Sequence, residues 1–451
     1  MTTECTQQSF EFEGENSRQV VARFDGGRQT SDAGGLLLRE ADKKLNLLSR
    51  FAACFLDGRE ARRVRHSVSE MVAQRAYGLA LGYEDLNDHD QLRHDPLLGL
   101  LAGKADAEEA LAGKSTLNRL ELSTQETSRY KKILCDEAAI DQLLVEVFLE
   151  SYAAAPEQIV LDLDATDFPI HGHQEGRFFH GYYDHYCYLP LYIVCEDQLL
   201  GVRLRPSNID ASAGALAEVE RIVGQVRAQW PQVRIILRGD SGFCRDGLMS
   251  WCESHNVDYV FGLARNPRLE KLLEPSLSQA AILYGKTGKP ARVFTEFQYQ
   301  TLDSWGQPRR VIGKAEQIEG KANPRYVVTS LGTDSGAPQE LYEKLYCARG
   351  DMENRIKEQL SLFADRVSAE TMKANQLRIY FSAIAYVLVS AFRRLALAGT
   401  EMAKAQVSTI RVRLLKIGAQ LKITVRKIWI SMPSSYPYQG VFEQAWTALR
   451  N

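Results

Sequence analysis

Residues 159–194 read "IVLDLDATDFPIHGHQEGRFFHGYYDHYCYLPLYIV". The stretch opens as an apolar strand, yet it carries Asp162 and Asp164, with Asp167 just beyond, and continues into four histidines and five tyrosines. Side chains alternate across a strand with period two, so Asp162 and Asp164 point the same way. An unpaired carboxylate is costly to bury, so the pair requires a cation, a donor network or an exposed strand end.

The rest of the chain narrows the choice. At 451 residues, two or three folded units are expected, and 45% hydrophobic content supplies a packed core. No apolar run reads as a membrane span, the polar start "MTTECTQQSFEFEGENS" does not read as a signal peptide, and no membrane partner is expected. The eight cysteines are scattered without a C-x-x-C pair, which points to reduced thiols and a bacterial-type cytoplasmic enzyme. A net charge of −2 argues against a uniformly basic nucleic-acid binder, but the distribution is uneven. Nine Lys or Arg stand between Arg393 and Lys427 against the single acid Glu401, and "GREARRVRH" covers Gly58 to His66. Such patches bind a phosphate backbone locally or form solvated helix faces.

Periodicity gives a mostly helical pattern up to about residue 155, after a strand at 18–24. Strand-like segments then follow at 158–164, 188–195 and 199–205. A helix is expected at 213–229, a strand at 233–238, a helix near 244–255 and a strand at 258–263. Three strands in meander, then helix, strand, helix, strand, is the order of a ribonuclease-H-like α/β fold. In that order the first and fourth strands are neighbours at the sheet centre. Asp164 ends the first, and "RGDSGF" puts Asp240 at the end of the fourth. Two carboxylates from adjacent strand ends suit a hard divalent cation. Residues 264–335 read as a small β-rich insertion, and a long helix is expected from about Gln339. On it Tyr346, Arg349, Glu353 and Lys357 fall at i, i+3, i+7 and i+11, along one face.

These residues carry a resemblance. Asp-Ala-Thr on the first strand, Asp240 after the fourth and Tyr-x2-Arg-x3-Glu on a helix beyond an insertion resemble the DDE transposases of bacterial insertion sequences. The likeness is to the ribonuclease-H-like group with the YREK signature. "HGYYDHYCYLPLY", "RGDSGFCRD", "FGLARNPRL" and "ARGDMENRIKE" are similar more narrowly to its thirteen-eighty branch, and the likeness runs from about residue 20 to 430.

The resemblance implies that Asp164, Asp240 and Glu353 are the catalytic, metal-binding triad, with Asp162 a secondary candidate on the same strand face. It implies Mg²⁺ or Mn²⁺, as two ions, and phosphate contacts from Tyr346 and Arg349; a salt bridge to Glu353 is the alternative for Arg349. The signature's Lys falls seven positions after the Glu, where this chain has Leu360, so Lys357 is the nearest substitute. The implied chemistry is two-metal hydrolysis at element ends, followed by attack of the freed 3′-OH on target DNA. The partners implied are double-stranded DNA, as terminal inverted repeats and target, and a second copy of the chain, forming a homodimer on DNA.

The expected organisation is a mainly helical N-terminal DNA-binding region (1–155), the first part of the catalytic core (156–263) and the β-rich insertion (264–335). The remainder of the core (336–400) and a basic C-terminal region (401–451) complete it. Arg62, Arg63 and Arg65 are DNA-contact candidates. Trp305, in the turn of the insertion, is either an exposed aromatic that stacks on a flipped base, as the resemblance suggests, or a ring packed on its own hairpin. His171, His173, His180, His185 and Cys187 form either a zinc site or a polar, aromatic lining beside the cleft, and the paired spacing of structural zinc sites is missing. "LAGKST" at 111–116 lacks the Gly that a phosphate-binding loop needs at 108. The apolar segment 376–399 offers either a dimer contact or a core helix. A metal-dependent nuclease without strand transfer is the competing function, and a DNA-binding protein without catalysis is a third.

Overall fold

The alternating strand at 158–165 is the centre on which the larger unit is built. The computed structural model describes residues 9–14, 18–104, 106, 109–123 and 131–450, so Met1–Gln8, Asn16 and the Glu108 position weighed above lie outside it. The chain divides into two compact units, one of residues 136–383 and one of residues 1–135 with 384–451.

In the 136–383 unit we label α1 (Glu137–Glu150), β1 (Gln158–Ala165), β2 (Leu191–Cys195), β3 (Gln198–Arg203), α2 (Ala215–Gln229), β4 (Arg234–Gly239), α3 (Asp246–Ser254) and β5 (Asp258–Leu263). There follow α4 (Pro267–Thr287), β6 (Ala291–Tyr299), β7 (Arg309–Ile318), β8 (Arg325–Thr329), α5 (Gly350–Leu360) and α6 (Met372–Phe392). One mixed sheet runs in the order β3-β2-β1-β4-β5-β8-β7-β6. The β1–β4 and β4–β5 pairs are parallel; β1–β2 and β2–β3 are antiparallel. The first and fourth strands therefore lie side by side, as the strand order predicts. Ile159, Leu161 and Leu163 face a core shared with Val219, Ile222 and Val226 of α2 and Leu248 and Met249 of α3. Asp162 and Asp164 necessarily occupy the other face.

Two expectations gain detail here. Residues 264–335, read as a small β-rich insertion, are not strands alone. They begin with the 21-residue α4, started by Asn266, which accepts from the Leu269 amide, and by Pro267 in the first turn. Their long strands then extend the central sheet through antiparallel pairing of β8 with β5. Nor is the segment from Pro338 to Leu360 one uniform α-helix. A π-helical turn (Leu341–Tyr346) and a 3₁₀ turn (Cys347–Arg349) precede α5, so the spacing from Tyr346 to Glu353 is not that of a regular α-helix.

The other unit joins both ends of the chain, which the sequence suggested as separate flanks. Arg28–Thr30 pairs with Ala419–Leu421, which is hairpinned to Ile428–Ser431. Its longest helix within residues 1–135, Val68–Leu81, starts at Ser67, whose hydroxyl accepts from Glu70, and stops at left-handed Gly82. The Arg411 guanidinium donates to the Ala80 carbonyl at that helix end.

The division between units falls within α6. The apolar window of Met372–Leu397 has the length and composition of a membrane span, but 83% of it is buried. It is a core helix, and its apolar faces are covered rather than free for a second copy. On α6 the Tyr380 hydroxyl donates to buried Asp141 of α1 at 2.7 Å, and Arg203 of β3 also pairs with Asp141. Tyr380→Phe leaves that carboxylate oxygen short of a donor. It should lower the unfolding free energy of the full chain by about 1–3 kcal/mol. An unchanged urea midpoint would show that this network contributes nothing.

Candidate active site

Parallel pairing of β1 with β4 decides the fate of each acid. Arg238 lies directly opposite Asp162 in register, and Gly239 opposite Leu163. The Arg238 guanidinium donates to both Asp162 oxygens, Nε at 2.5 Å and Nη2 at 2.7 Å, and its Nη1 donates to the Leu345 carbonyl. Burial pushes the Asp162 carboxyl up, and the bonds from Arg238 oppose that shift. Asp162 is therefore half of a buried, bidentate ion pair, each of its oxygens accepting one bond from Arg238.

Asp164 has no such partner on the sheet. It sits at the end of β1 with its side chain 12% exposed and receives Nη2 of Arg349 at 3.0 Å. The amide of Ala165 also donates to it, at 3.0 Å. Burial pushes its carboxyl up to about 6; the Arg349 charge opposes the shift and the Asp240 charge adds to it. Asp240 follows β4, is 46% exposed, and lies 4.0 Å from the same Arg349 nitrogen. Its Oδ1 accepts from the Gly242 amide at 2.8 Å, which fixes the turn after the strand. Two carboxylates from neighbouring strands thus converge on one guanidinium. Arg349 is held there with its buried Nε unpartnered.

Tyr346 reaches the same place from the π-helical turn. A Cβ on Gly262 of β5 would stand 2.6 Å from the Tyr346 hydroxyl, so only glycine lets the ring approach the end of the sheet. Arg349 bridges to the strand acids, and among the described residues it makes no ion pair with Glu353. Glu353 and Lys357 are exposed on α5, one and two turns beyond Arg349.

For a divalent cation the test is the donor set. Asp164 and Asp240 supply hard oxygen donors that already gather around positive charge, and in this they fit. Glu353 is not gathered with them: among the described residues no three His, Cys, Asp or Glu side chains stand close enough to hold an ion.

The other candidates separate cleanly. Trp305 is only 6% exposed, edge-on to Tyr299 at 5.7 Å and beneath the Arg309 guanidinium. It is packed on its own hairpin and presents no face to a base. The histidines do not converge either: His185 Nε2 meets Asp167 at 2.8 Å, His180 lies against Tyr183, and His171 and His173 are exposed in a loop. Phe178–His180 pairs antiparallel with the strand starting at His185, and what this hairpin does present is aromatic, with Tyr182 86% exposed and Phe179 and Tyr186 about half exposed. Arg62 and Arg63 both pair with Glu60 while staying exposed, and Arg65 is exposed. In the C-terminal basic stretch several charges serve the fold: Arg393 donates to the Ala405 carbonyl, Arg411 to Ala80, and Lys416 pairs with Asp32 at 2.7 Å. Arg238 escaped the sequence reading. The available signal was its position two residues before Asp240, on the strand expected to neighbour Asp162.

A family model described as "Transposase DDE domain group 1" matches residues 12–451. No curated protein matches the chain in sequence. Among solved structures, a cryo-EM structure of the piggyBac transposase synaptic complex with hairpin DNA is similar at 11% identity. Its TM-score is 0.41, over 86% of this chain and 80% of that one.

The two strand acids should behave oppositely on mutation. Asp162→Ala strands a buried guanidinium and should cost about 3–5 kcal/mol of stability. Asp164 has a folded-state pKa raised above its ordinary carboxylate value, so folding favours its neutral form. The stability this gives is present at low pH and is lost as pH rises toward 6. In chelating buffer Asp164→Asn should therefore gain on the wild type between about pH 4 and pH 7, by up to ~3 kcal/mol in urea unfolding. A difference that does not change with pH would contradict this environment for Asp164.

Proposed function

This chain belongs to the DDE-domain transposases of group 1, matched over residues 12–451, and on that premise we propose that it is the cut-and-paste transposase of a bacterial insertion sequence. The proposed branch is thirteen-eighty, with the YREK signature. The observation that carries the reading is the convergence of Asp164 and Asp240, from adjacent parallel strand ends, on Arg349. The strand order β3-β2-β1-β4-β5 supports a ribonuclease-H-like core.

Asp164 and Asp240 would hold Mg²⁺ or Mn²⁺, as two ions, and Glu353, which stands apart from them in this structure, would have to move in to complete the set. Bound there, the metal ions supply activation of the attacking oxygen and stabilisation of the leaving one. Water adds to the scissile phosphorus and the bridging P–O bond breaks, leaving a 3′-OH on the element. That hydroxyl then attacks a target phosphodiester and a target strand 3′-oxygen leaves. Arg349, freed from the acids, has the planar fork to take two oxygens of the phosphate, and the Tyr346 hydroxyl is a neutral donor beside it. With Asp162 committed to Arg238, Asp164 is the acid on β1 left for the reaction. Double-stranded element ends and target DNA are the proposed partners, and a homodimer assembled on two ends in the bacterial cytoplasm is the proposed working form.

Asp164→Ala, Asp240→Ala or Glu353→Ala should each abolish cutting of DNA carrying the element's ends, with end binding nearly intact. Cutting should require added Mg²⁺ or Mn²⁺ and stop with chelator. Normal cutting by any one variant would remove that residue from the site. Products that are cut but never joined to target DNA would favour the nuclease reading.

The exposed arginines of the 58–66 run give a separate expectation. Replacing Arg62, Arg63 and Arg65 together should flatten the dependence of log affinity on log salt by about 0.9 for each phosphate no longer neutralised. An unchanged slope would make the run a solvated face.

A further inference from the structure

The hairpin near the C-terminus carries a sheet face that the chemistry above does not use. Its strands, Ala419–Ile423 and Ile428–Ser431, pair Leu421 with Ile430 and Lys422 with Trp429. Residues directly opposite share a face, and the faces alternate along each strand. Ala419 and Ile430 pack with Ala33, Ile417 and Phe442. Gln420, Lys422, Trp429 and Ser431 therefore lie on the other face, and all four are exposed. The third strand, Arg28–Thr30, stops pairing at Leu421, so Lys422 to Trp429 stand out as a two-stranded ribbon. The Thr424 amide donates to the Lys427 carbonyl at 2.9 Å, which closes the turn and leaves Val425 and Arg426 at the tip.

Charge and apolar surface on this ribbon point to one class of partner. The chain has no Asp or Glu between Glu401 and Glu443. Within that span Arg411 and Lys416 are committed to the fold. Among the described residues, the side chains of Lys422 and Arg426 meet no acid or carbonyl. The Lys427 ammonium lies over the Trp429 ring at 5.2 Å. Beside these three cations the ribbon leaves Val425 fully in water and Trp429 more than half so. Cations without counter-ions around an exposed indole match a polyanion that also offers apolar surface. Duplex DNA has both, with phosphates along the rims of its grooves and base edges and methyl groups between them. Its major groove admits a two-stranded ribbon.

We propose that the 419–431 hairpin is a DNA-binding ribbon that enters a duplex groove, with Lys422, Arg426 and Lys427 on backbone phosphates and Trp429 against the groove floor. It rests on the transposase reading for the choice of DNA among polyanions. The grip belongs to the unit that joins both chain ends, whereas Asp164 and Asp240 belong to the other.

The test uses the full chain and a short DNA duplex, with affinity measured over a salt series in the absence of divalent metal. Lys422→Gln, Arg426→Gln and Lys427→Gln together should flatten the dependence of log affinity on log salt by about 0.9 for each phosphate released, about 2.7 in all. Trp429→Ala removes no charge, so it should keep the slope and weaken affinity on the order of tenfold at fixed salt, the loss of one interface anchor. All four side chains are exposed, so the variants should unfold at the wild-type urea midpoint. A slope flattened by less than about 0.9 in the triple variant, or wild-type affinity in Trp429→Ala, would overturn the proposal. Polyglutamate at matched charge should not displace the duplex; displacement would assign the face to an acidic protein partner instead. A wild-type chain that binds DNA through this ribbon but never cuts it would contradict the transposase reading and leave the ribbon standing.

Discussion

The parallel register of β1 against β4, from Gln158 opposite Arg234 to Leu163 opposite Gly239, is the constraint on which the site depends. It sets Arg238 beside Asp162 and brings both strands to an acid at the same end of the sheet. Slipping β1 by one residue would turn both of its acids toward Val219, Ile222 and Leu248 in the apolar core and turn Ile159, Leu161 and Leu163 out of it. The register and the chemistry are thus fixed by the same alternation of side chains. One acid is consumed by a partner within the sheet, and the next, two residues on, is left for a partner from elsewhere.

That second partner is Arg349, and the arrangement is electrostatically poised. Burial favours a neutral Asp164 and Asp240 reinforces it, while the Arg349 guanidinium and the Ala165 amide favour the ionised form. A site in which desolvation and a like charge oppose one cation gains most from any further positive charge. Arg349 itself is delivered by an irregular path, a π-helical turn and then a 3₁₀ turn, with Tyr346 seated against the bare backbone of Gly262. Such interruptions of a helix cost stability and are commonest where function requires a side chain in a particular place.

Much of this was legible in the sequence because it follows from short-range rules. The strands at 158–165 and 258–263 and the helix at 215–229 announce themselves by period and by flanking turns. The pairing of first and fourth strands follows from their order. Other features are set by tertiary context, which a single sequence hides. Trp305 looks exposed in a Gly-Gln-Pro turn, yet Tyr299 and Arg309 from the adjoining strands enclose it. The C-terminal charges read as a DNA-binding stretch, but Arg393, Arg411 and Lys416 meet carbonyls and Asp32 brought close by folding. Helix α4 was obscured by the strands beyond it and by Pro275 within it, although Asn266-Pro267 marks its start and left-handed Gly288 its end. The π-helical turn has no sequence signature in its spacing, so the irregular start of this helix was beyond reach.

The central claim is that Asp164 and Asp240 together form a centre selective for a hard cation, with Arg349 as its resting counter-charge. Mn²⁺ binding to the full chain, followed by loss of the free-ion electron paramagnetic resonance signal, tests this without relying on catalysis. Wild-type protein should bind Mn²⁺, and Asp164→Asn and Asp240→Asn should each weaken binding by on the order of tenfold or more, while Asp162→Asn in folded protein should not. Equal Mn²⁺ binding by the wild type and the Asp164→Asn chain would contradict the account.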